Sequence, residues 1–223
     1  MSLLFLILVA AGLPLLSALS YRNIKQLEEA DSQVQFAKGP IYLQSMLLQL
    51  ILTGVAWLCA RSEQMEIALS GTFTWLTVGA AVLFVGGALA LAGYSQKNKQ
   101  QQEESTLHHI LPETNRDRLL WALAVVVAAF CEEYVYRGVL FQLMLLQTGG
   151  IWIAAALLSA VVFAFGHGTQ GERAILQIIP FALGFQALAW LSGGLLLPMI
   201  AHFVYNMTVE LLFGEQLKRD AGR

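Results

Sequence analysis

The residues of this chain that could do chemistry are acids, imidazoles, an amide and one arginine set inside apolar stretches. They are Glu132, Glu133, Arg137, His167, His202 and Asn206. A carboxylate beside an imidazole can take a proton from water, and imidazole and amide N–H groups can stabilise a developing negative charge. Hydrolysis of an amide bond requires both of these functions.

The spacing of these residues predicts how they are used on helices. Glu133 and Arg137 are four residues apart, which predicts an ion pair on one helix face. Glu132 is rotated by about 100° from Glu133 on an α-helix and therefore points elsewhere. A carboxylate placed in this way suits general-base chemistry. His202 and Asn206 are also four apart, so an imidazole and an amide share a face.

The composition indicates that these residues lie in a membrane protein. Hydrophobic residues make up 57% of the 223 residues and charged residues 13%, against roughly 45–50% and 25% in soluble domains. The net charge of -2 excludes a nucleic-acid partner, because a phosphate-binding surface needs excess basic charge. Cys59 and Cys131 lie in apolar runs and provide no disulfide framework.

Seven apolar stretches have about the length of a membrane span, which needs roughly 17–25 residues. They cover residues 3–20, 41–60, 72–93, 119–146, 151–166, 174–191 and 195–213. The predicted fold class is therefore all-α, a polytopic membrane helical bundle of about seven transmembrane helices. A charge at the bilayer centre costs about 2.5–3.5 kcal/mol on insertion scales, so we expect the ionisable groups within spans to have a structural or functional role.

The connection between the fourth and fifth spans aligns two of these groups. Only residues 147–150 join the spans, which predicts an antiparallel hairpin with its turn near Gly149. Glu132 lies 17 residues before that turn and His167 lies 18 after it, so both are expected at the same depth. His202 reaches that depth only if the turn protrudes or the last helix breaks near Pro198.

The polar segment 95–118 divides the chain. We expect an N-terminal three-helix membrane segment at 1–94, a cytoplasmic connection at 95–118, a catalytic four-helix core at 119–213 and a cytoplasmic tail at 214–223. Eleven of the 13 Lys and Arg residues fall on one side if the N-terminus is outside, which predicts a cytoplasmic C-terminus. His108 and His109 lie in the polar segment and are expected to be solvated.

The polar residues within the spans are also compatible with roles outside catalysis. Polar side chains bind helices to one another in lipid, and a lone histidine beside glycines is commonly a packed residue. A non-catalytic peptide-binding or immunity factor and a proton-coupled carrier are alternative functions. A carrier is expected to have repeats and broken helices in both halves, whereas this sequence has no internal repeat.

Three known protease signatures are absent from the sequence: H-E-x-x-H for zinc, G-x-S-G for serine and G-x-G-D for aspartyl intramembrane proteases. The motifs present are E-E-x-x-x-R from Glu132, F-x-x-x-H from Phe163 and H-x-x-x-N from His202, each on its own span. Because these motifs occur in this order, residues 119–213 resemble the CPBP family of intramembrane proteases. That family comprises CAAX-processing prenyl-protein endopeptidases of type 2 and abortive-infection-like relatives.

The resemblance implies an integral, multi-pass endopeptidase, in the plasma membrane of a prokaryote, that cleaves a membrane-anchored peptide or protein. It implies that Glu132 activates a water that His167 orients, and that His202 and Asn206 stabilise the oxyanion. Glu133, Arg137 and Phe163 are expected to give structural support. Family members often have eight spans, which leaves an eighth helix open here.

The resemblance also raises the question of a metal, since the family is often labelled a metalloprotease family. If a metal is present, Glu132, His167 and His202 are the expected ligands of a zinc site with two histidines and one carboxylate. We expect instead a metal-independent, glutamate-dependent mechanism without a cofactor.

Overall fold

The computed structural model describes residues 1–30, 36–96 and 111–221, and within these ranges it contains seven helices and no strands. The helices are α1 Ser2–Ala30, α2 Lys38–Ser62, α3 Trp75–Gln96, α4 Asn115–Gln147, α5 Trp152–Gly166, α6 Glu172–Ser192 and α7 Leu196–Ala221. The predicted all-α membrane bundle is confirmed. His108, His109 and most of the polar segment lie outside the described residues.

Six of these helices are long and apolar enough to cross a membrane. The exception is α5, whose 15 residues extend about 22 Å at 1.5 Å per residue, less than the roughly 30 Å of a hydrocarbon core. The predicted count of about seven is close to this: six described helices have spanning length, and α5 is a shorter apolar helix. The orientation in the membrane stays a prediction.

Helix α4 carries the first motif and begins at a well-defined cap. The Thr114 hydroxyl accepts a hydrogen bond from the Asp117 N–H, and the Asp117 carboxylate accepts one from the Thr114 N–H. This reciprocal capping box satisfies N–H groups that have no partner within the helix. It fixes the start of a helix of 33 residues, the longest in the described ranges.

The middle of α4 is a π-helix, Glu133–Leu140, in which backbone N–H groups bond five residues back instead of four. It starts directly after Glu132 and contains both Glu133 and Arg137. π-Helical turns are rare and frequently occur at functional sites. Their wider turn changes the angular spacing that the sequence analysis assumed for an α-helix.

The core of the bundle surrounds this π-helix. Val135, Val139 and Leu140 are fully buried and pack with Phe5 and Val9 of α1, which are also fully buried. Many large apolar side chains on the outer helix faces are exposed, as expected for surfaces in contact with lipid. The motif-bearing part of α4 is thus almost entirely buried among the described residues.

Helices α4 and α5 form the predicted antiparallel hairpin. Its turn passes through Gly149 and Gly150, whose φ angles of 65° and 86° lie in the left-handed region that favours glycine. Helix α5 ends at Gly166, so His167 follows its last residue directly. The hairpin brings the end of α5 beside the middle of α4.

The depth of His202 is explained by where α7 begins. A Cβ atom on Gly138 would lie 3.2 Å from Cδ1 of Leu195, so the residue before α7 packs against the π-helix rather than against the end of α4. Residues 139–147 then extend α4 by about 13 Å beyond that level. The hairpin turn therefore protrudes, and α7 runs unbroken past Pro198, which lies in its first turn.

The start of α7 is fixed by the segment between α2 and α3. The N–H groups of Leu195 and Leu196 donate hydrogen bonds of 3.0 and 2.8 Å to the carbonyls of Ala68 and Leu69. These are backbone donors at a helix start, where no partner exists within the helix itself. The contact holds α7, and with it His202, at a set height relative to α4.

Candidate active site

Glu132 lies at the centre of the site, and its two carboxylate oxygens have different surroundings. The Gln49 Nε2 group on α2 donates a hydrogen bond of 2.7 Å to Glu132 Oε1. The other oxygen, Oε2, lies 3.9 Å from His167 Nε2 and 4.0 Å from His202 Nε2. Both distances are too long for a direct hydrogen bond, but each is short enough for one water-sized molecule to bridge the two atoms by hydrogen bonds. The hairpin and α7 thus bring the three predicted residues together.

His167 is held by its own helix end. Its Nδ1 atom lies 2.9 Å from the Phe163 carbonyl oxygen, and because a carbonyl only accepts, Nδ1 must carry the proton. In the neutral ring, Nε2 is then an acceptor directed towards Glu132. The turn that follows is tied to α1, since the Thr169 N–H donates a 3.1 Å hydrogen bond to Ser17 Oγ.

His202 is oriented by Glu133. Its Nδ1 atom donates across 2.9 Å to Glu133 Oε1, while its Nε2 atom faces Glu132. The ring stacks on Phe185 of α6, with centroids 4.9 Å apart and an interplanar angle of 27°. One imidazole therefore lies between the two adjacent carboxylates of α4 and uses opposite nitrogens towards them.

The predicted pair between Glu133 and Arg137 is present as a close contact. Arg137 Nη1 lies 3.3 Å from Glu133 Oε1, and the two residues are 4% and 0% exposed. The contact lacks hydrogen-bond geometry, and neither Arg137 Nη atom has a hydrogen-bond partner among the described residues. Glu133 is therefore shared between a cation on its own helix and an imidazole on α7.

Two aromatic rings enclose the Arg137 guanidinium. Its central carbon lies 4.2 Å from the Phe163 ring centroid and 5.5 Å from that of Phe185. Phe163 also packs against His167, with centroids 4.4 Å apart. Cation–π contacts of this kind strengthen when the cation is desolvated. The phenylalanine of the F-x-x-x-H motif thus contacts both the arginine and the histidine of the site.

Asn206 lies one helical turn beyond His202 on α7 and is half buried. The spacing of four residues puts it on the same side of the helix as His202. The structure therefore leaves the two residues where the sequence predicts them, next to each other along α7. Their role as donors to an oxyanion stays a prediction.

Sequence reasoning missed two residues that contact the site, Gln49 and Phe185. Gln49 stands in an apolar stretch, and a search for ionisable groups alone passes over an uncharged amide. A search for any strong hydrogen-bonding side chain within a span would have found it. Phe185 carries no such signal, because an aromatic residue in an apolar helix looks like every other core residue.

The arrangement does not fit a metal site. Ligand atoms about 2.0–2.2 Å from a tetrahedral zinc ion lie about 3.3–3.6 Å from one another, whereas Glu132 Oε2 is 3.9 and 4.0 Å from the two imidazole nitrogens. Among the residues that the structure describes, no group of three or more His, Cys, Asp or Glu side chains could hold a metal ion. The expectation of a cofactor-free site stays a prediction.

The geometry defines a class of protein: a polytopic helical membrane protein with a buried carboxylate between two imidazoles. Residues 114–208 match the family model of type II CAAX prenyl endopeptidases, Rce1-like. The resemblance to the CPBP family is confirmed over this segment, which contains all the predicted site residues. The match supports an intramembrane endopeptidase in general. No curated protein and no solved structure matches the chain.

Proposed function

We propose that this protein is an endopeptidase that hydrolyses a peptide bond of a membrane-associated substrate by activating water at Glu132. One observation carries the proposal: in the buried Glu132 carboxylate, Oε2 is the oxygen that Gln49 does not bind, and it lies 3.9 and 4.0 Å from two imidazole nitrogens. A base and hydrogen-bonding groups around one small volume are the components that amide hydrolysis needs.

Glu132 acts as the general base and His167 orients the water. A water between Glu132 Oε2 and His167 Nε2 can donate one hydrogen to each, because both atoms are acceptors when the His167 Nδ1 proton is bound to Phe163. As the water oxygen attacks the carbonyl carbon, one of its protons passes to Glu132. The carbonyl oxygen then carries the negative charge of the tetrahedral intermediate.

His202 and Asn206 stabilise that oxyanion. The Asn206 amide nitrogen supplies N–H donors, and His202 supplies an Nε2–H donor when its ring carries both protons. Glu133 keeps Nε2 directed at the site because it accepts the hydrogen bond from Nδ1. When the carbon–nitrogen bond breaks, the proton on Glu132 passes to the leaving amine. The products are a new carboxyl group and a new amine, and Glu132 is regenerated as a carboxylate.

The substrate is a peptide held at the membrane. The site lies among apolar helices of spanning length, so a substrate anchored in lipid reaches it at the correct depth. Access is easiest at His167, whose side chain is 24% exposed, whereas the Glu132 side chain is 10% exposed. A peptide therefore enters from the end of α5, next to the turn bound to α1.

A cleavage screen tests the proposal. Purified protein in lipid nanodiscs is incubated with synthetic peptides that carry a prenyl chain, an acyl chain or a transmembrane anchor, and the products are identified by mass spectrometry. We expect one new carboxyl terminus at a defined bond of an anchored peptide, and none with the same peptide lacking its anchor. Binding without cleavage across all peptides would instead favour a peptide-binding factor.

A further inference from the structure

Gln49 contacts the site from outside the segment 114–208 that the family model matches. It lies on α2, a helix whose surrounding residues are mostly apolar and face lipid. Its Nε2 group donates a 2.7 Å hydrogen bond to Glu132 Oε1. An ionised carboxylate only accepts hydrogen bonds, so the amide nitrogen must face Glu132 and the amide oxygen must point away.

The other end of the Gln49 amide indicates what this contact is for. Its Oε1 atom is buried and has no hydrogen-bond partner in the described part of the chain. An unpaired buried acceptor costs stability, so a side chain kept only to join two helices would be expected to pair both ends. The contact is better explained by its effect on Glu132 than by adhesion between α2 and α4.

The effect on Glu132 is to make its two oxygens unequal. The last torsion of a glutamate side chain has a broad energy profile, so a carboxylate without a fixed partner rotates over a wide range of angles. Gln49 removes that freedom because it binds Oε1 and leaves Oε2 facing His167 and His202. The rotation of the carboxylate, and with it the direction of the reacting oxygen, is thereby set by a residue on a different helix.

We propose that Gln49 is a positioning residue that holds the Glu132 carboxylate in the rotation that directs one oxygen at His167 and His202. This inference rests on the proposed peptidase function. It makes α2, and not only the segment 114–208, part of the catalytic arrangement. It also predicts that Gln49 affects the rate of the chemical step and not the binding of the substrate.

The test uses three variants of the full-length protein in nanodiscs and the best-cleaved anchored peptide of the screen. Gln49→Leu removes the donor, and Gln49→Met removes the donor while keeping an unbranched side chain of similar length. Gln44→Leu, at an exposed position five residues earlier on α2, is the matched control. We expect kcat to fall about tenfold or more in both Gln49 variants, since a hydrogen bond to a charged group is lost, with KM unchanged. The control should keep both constants.

Two results would overturn the inference. A wild-type kcat in Gln49→Leu, or a loss of activity explained entirely by a smaller folded fraction in both Gln49 variants, leaves Gln49 a structural residue. Glu132→Gln measured alongside separates the two claims. If Glu132→Gln is inactive and Gln49→Leu is not, only the role of Gln49 fails. If Glu132→Gln cleaves normally, or the wild type cleaves no peptide, the proposed function fails. The role of Gln49 then fails as well, because it depends on that function.

Discussion

His202 donates a hydrogen bond from Nδ1 to Glu133 Oε1 across 2.9 Å, which joins α7 to the π-helix of α4. The same carboxylate oxygen lies 3.3 Å from Arg137. Glu133 therefore links the stability of the bundle to the orientation of a ring that faces Glu132. Variants around this contact should separate residues that hold the fold from residues that serve the reaction.

Arg137→Ala should lower the thermal midpoint of the protein in detergent. The change leaves Glu133 as a buried charge without its cation, and breaking a buried pair in this way costs about 3–5 kcal/mol. Arg22→Ala, at an exposed position on α1, is the matched control and should melt like the wild type. Equal midpoints for the two variants would show that the Glu133–Arg137 contact contributes little.

Phe185→Leu should lower the rate of cleavage by about tenfold while the protein stays folded. The substitution keeps an apolar side chain but removes the ring that stacks on His202 and covers Arg137. Aromatic contacts of this kind contribute about 0.5–1.5 kcal/mol beyond the area they bury. Phe165→Leu, at an exposed position on α5, is the control. A wild-type kcat in Phe185→Leu would argue that the hydrogen bond to Glu133 orients His202 without help from the Phe185 ring.

Ser17→Ala should reduce kcat several-fold through the turn that carries His167. The substitution removes the hydroxyl that accepts the hydrogen bond from the Thr169 N–H, and a typical hydrogen bond contributes about 0.5–1.5 kcal/mol. The turn is then held less firmly in the position that directs His167 at Glu132. Ser20→Ala, exposed on the same helix, should leave kcat unchanged. If both serine variants behave alike, α1 has no part in positioning His167.

The active protein should contain no stoichiometric metal. The spacing of Glu132 and the two imidazoles is wider than a zinc site needs. Elemental analysis of active, purified protein should find less than one transition-metal ion per chain, and extensive treatment with a chelator should leave kcat unchanged. One equivalent of zinc that is lost together with activity, and restores activity when added back, would contradict this.

The part of the site that the sequence predicts correctly is the part set by helix arithmetic. Glu132 and His167 lie at equal distances from a tight turn, so an antiparallel hairpin must bring them to one depth, and their side chains are 3.9 Å apart. Glu133 and Arg137 meet because they lie on neighbouring turns of one helix. These relationships depend only on rise per residue and on the short connection.

The parts that the sequence does not predict depend on how apolar helices pack sideways. Lipid-facing and protein-facing residues are both apolar here, so the sequence has no hydrophobic periodicity that shows which helix faces meet. It therefore does not predict that Phe185 lies over His202 or that α2 brings Gln49 to Glu132. The π-helix likewise has no sequence signal. The exact length of α5 is a further example, since an apolar run of 16 residues does not reveal that its helix has 15 residues and is shorter than the other six described helices.

The most direct test of the account compares Glu132→Gln with Glu63→Gln in nanodiscs, using one anchored peptide that the wild type cleaves. Glu63 lies in an exposed turn after α2, so its variant controls for the loss of a carboxylate elsewhere. We expect Glu132→Gln to keep the wild-type melting temperature and to lose cleavage to the level of the peptide alone. Glu63→Gln should cleave like the wild type. Turnover retained by folded Glu132→Gln would contradict the assignment of Glu132 as the base.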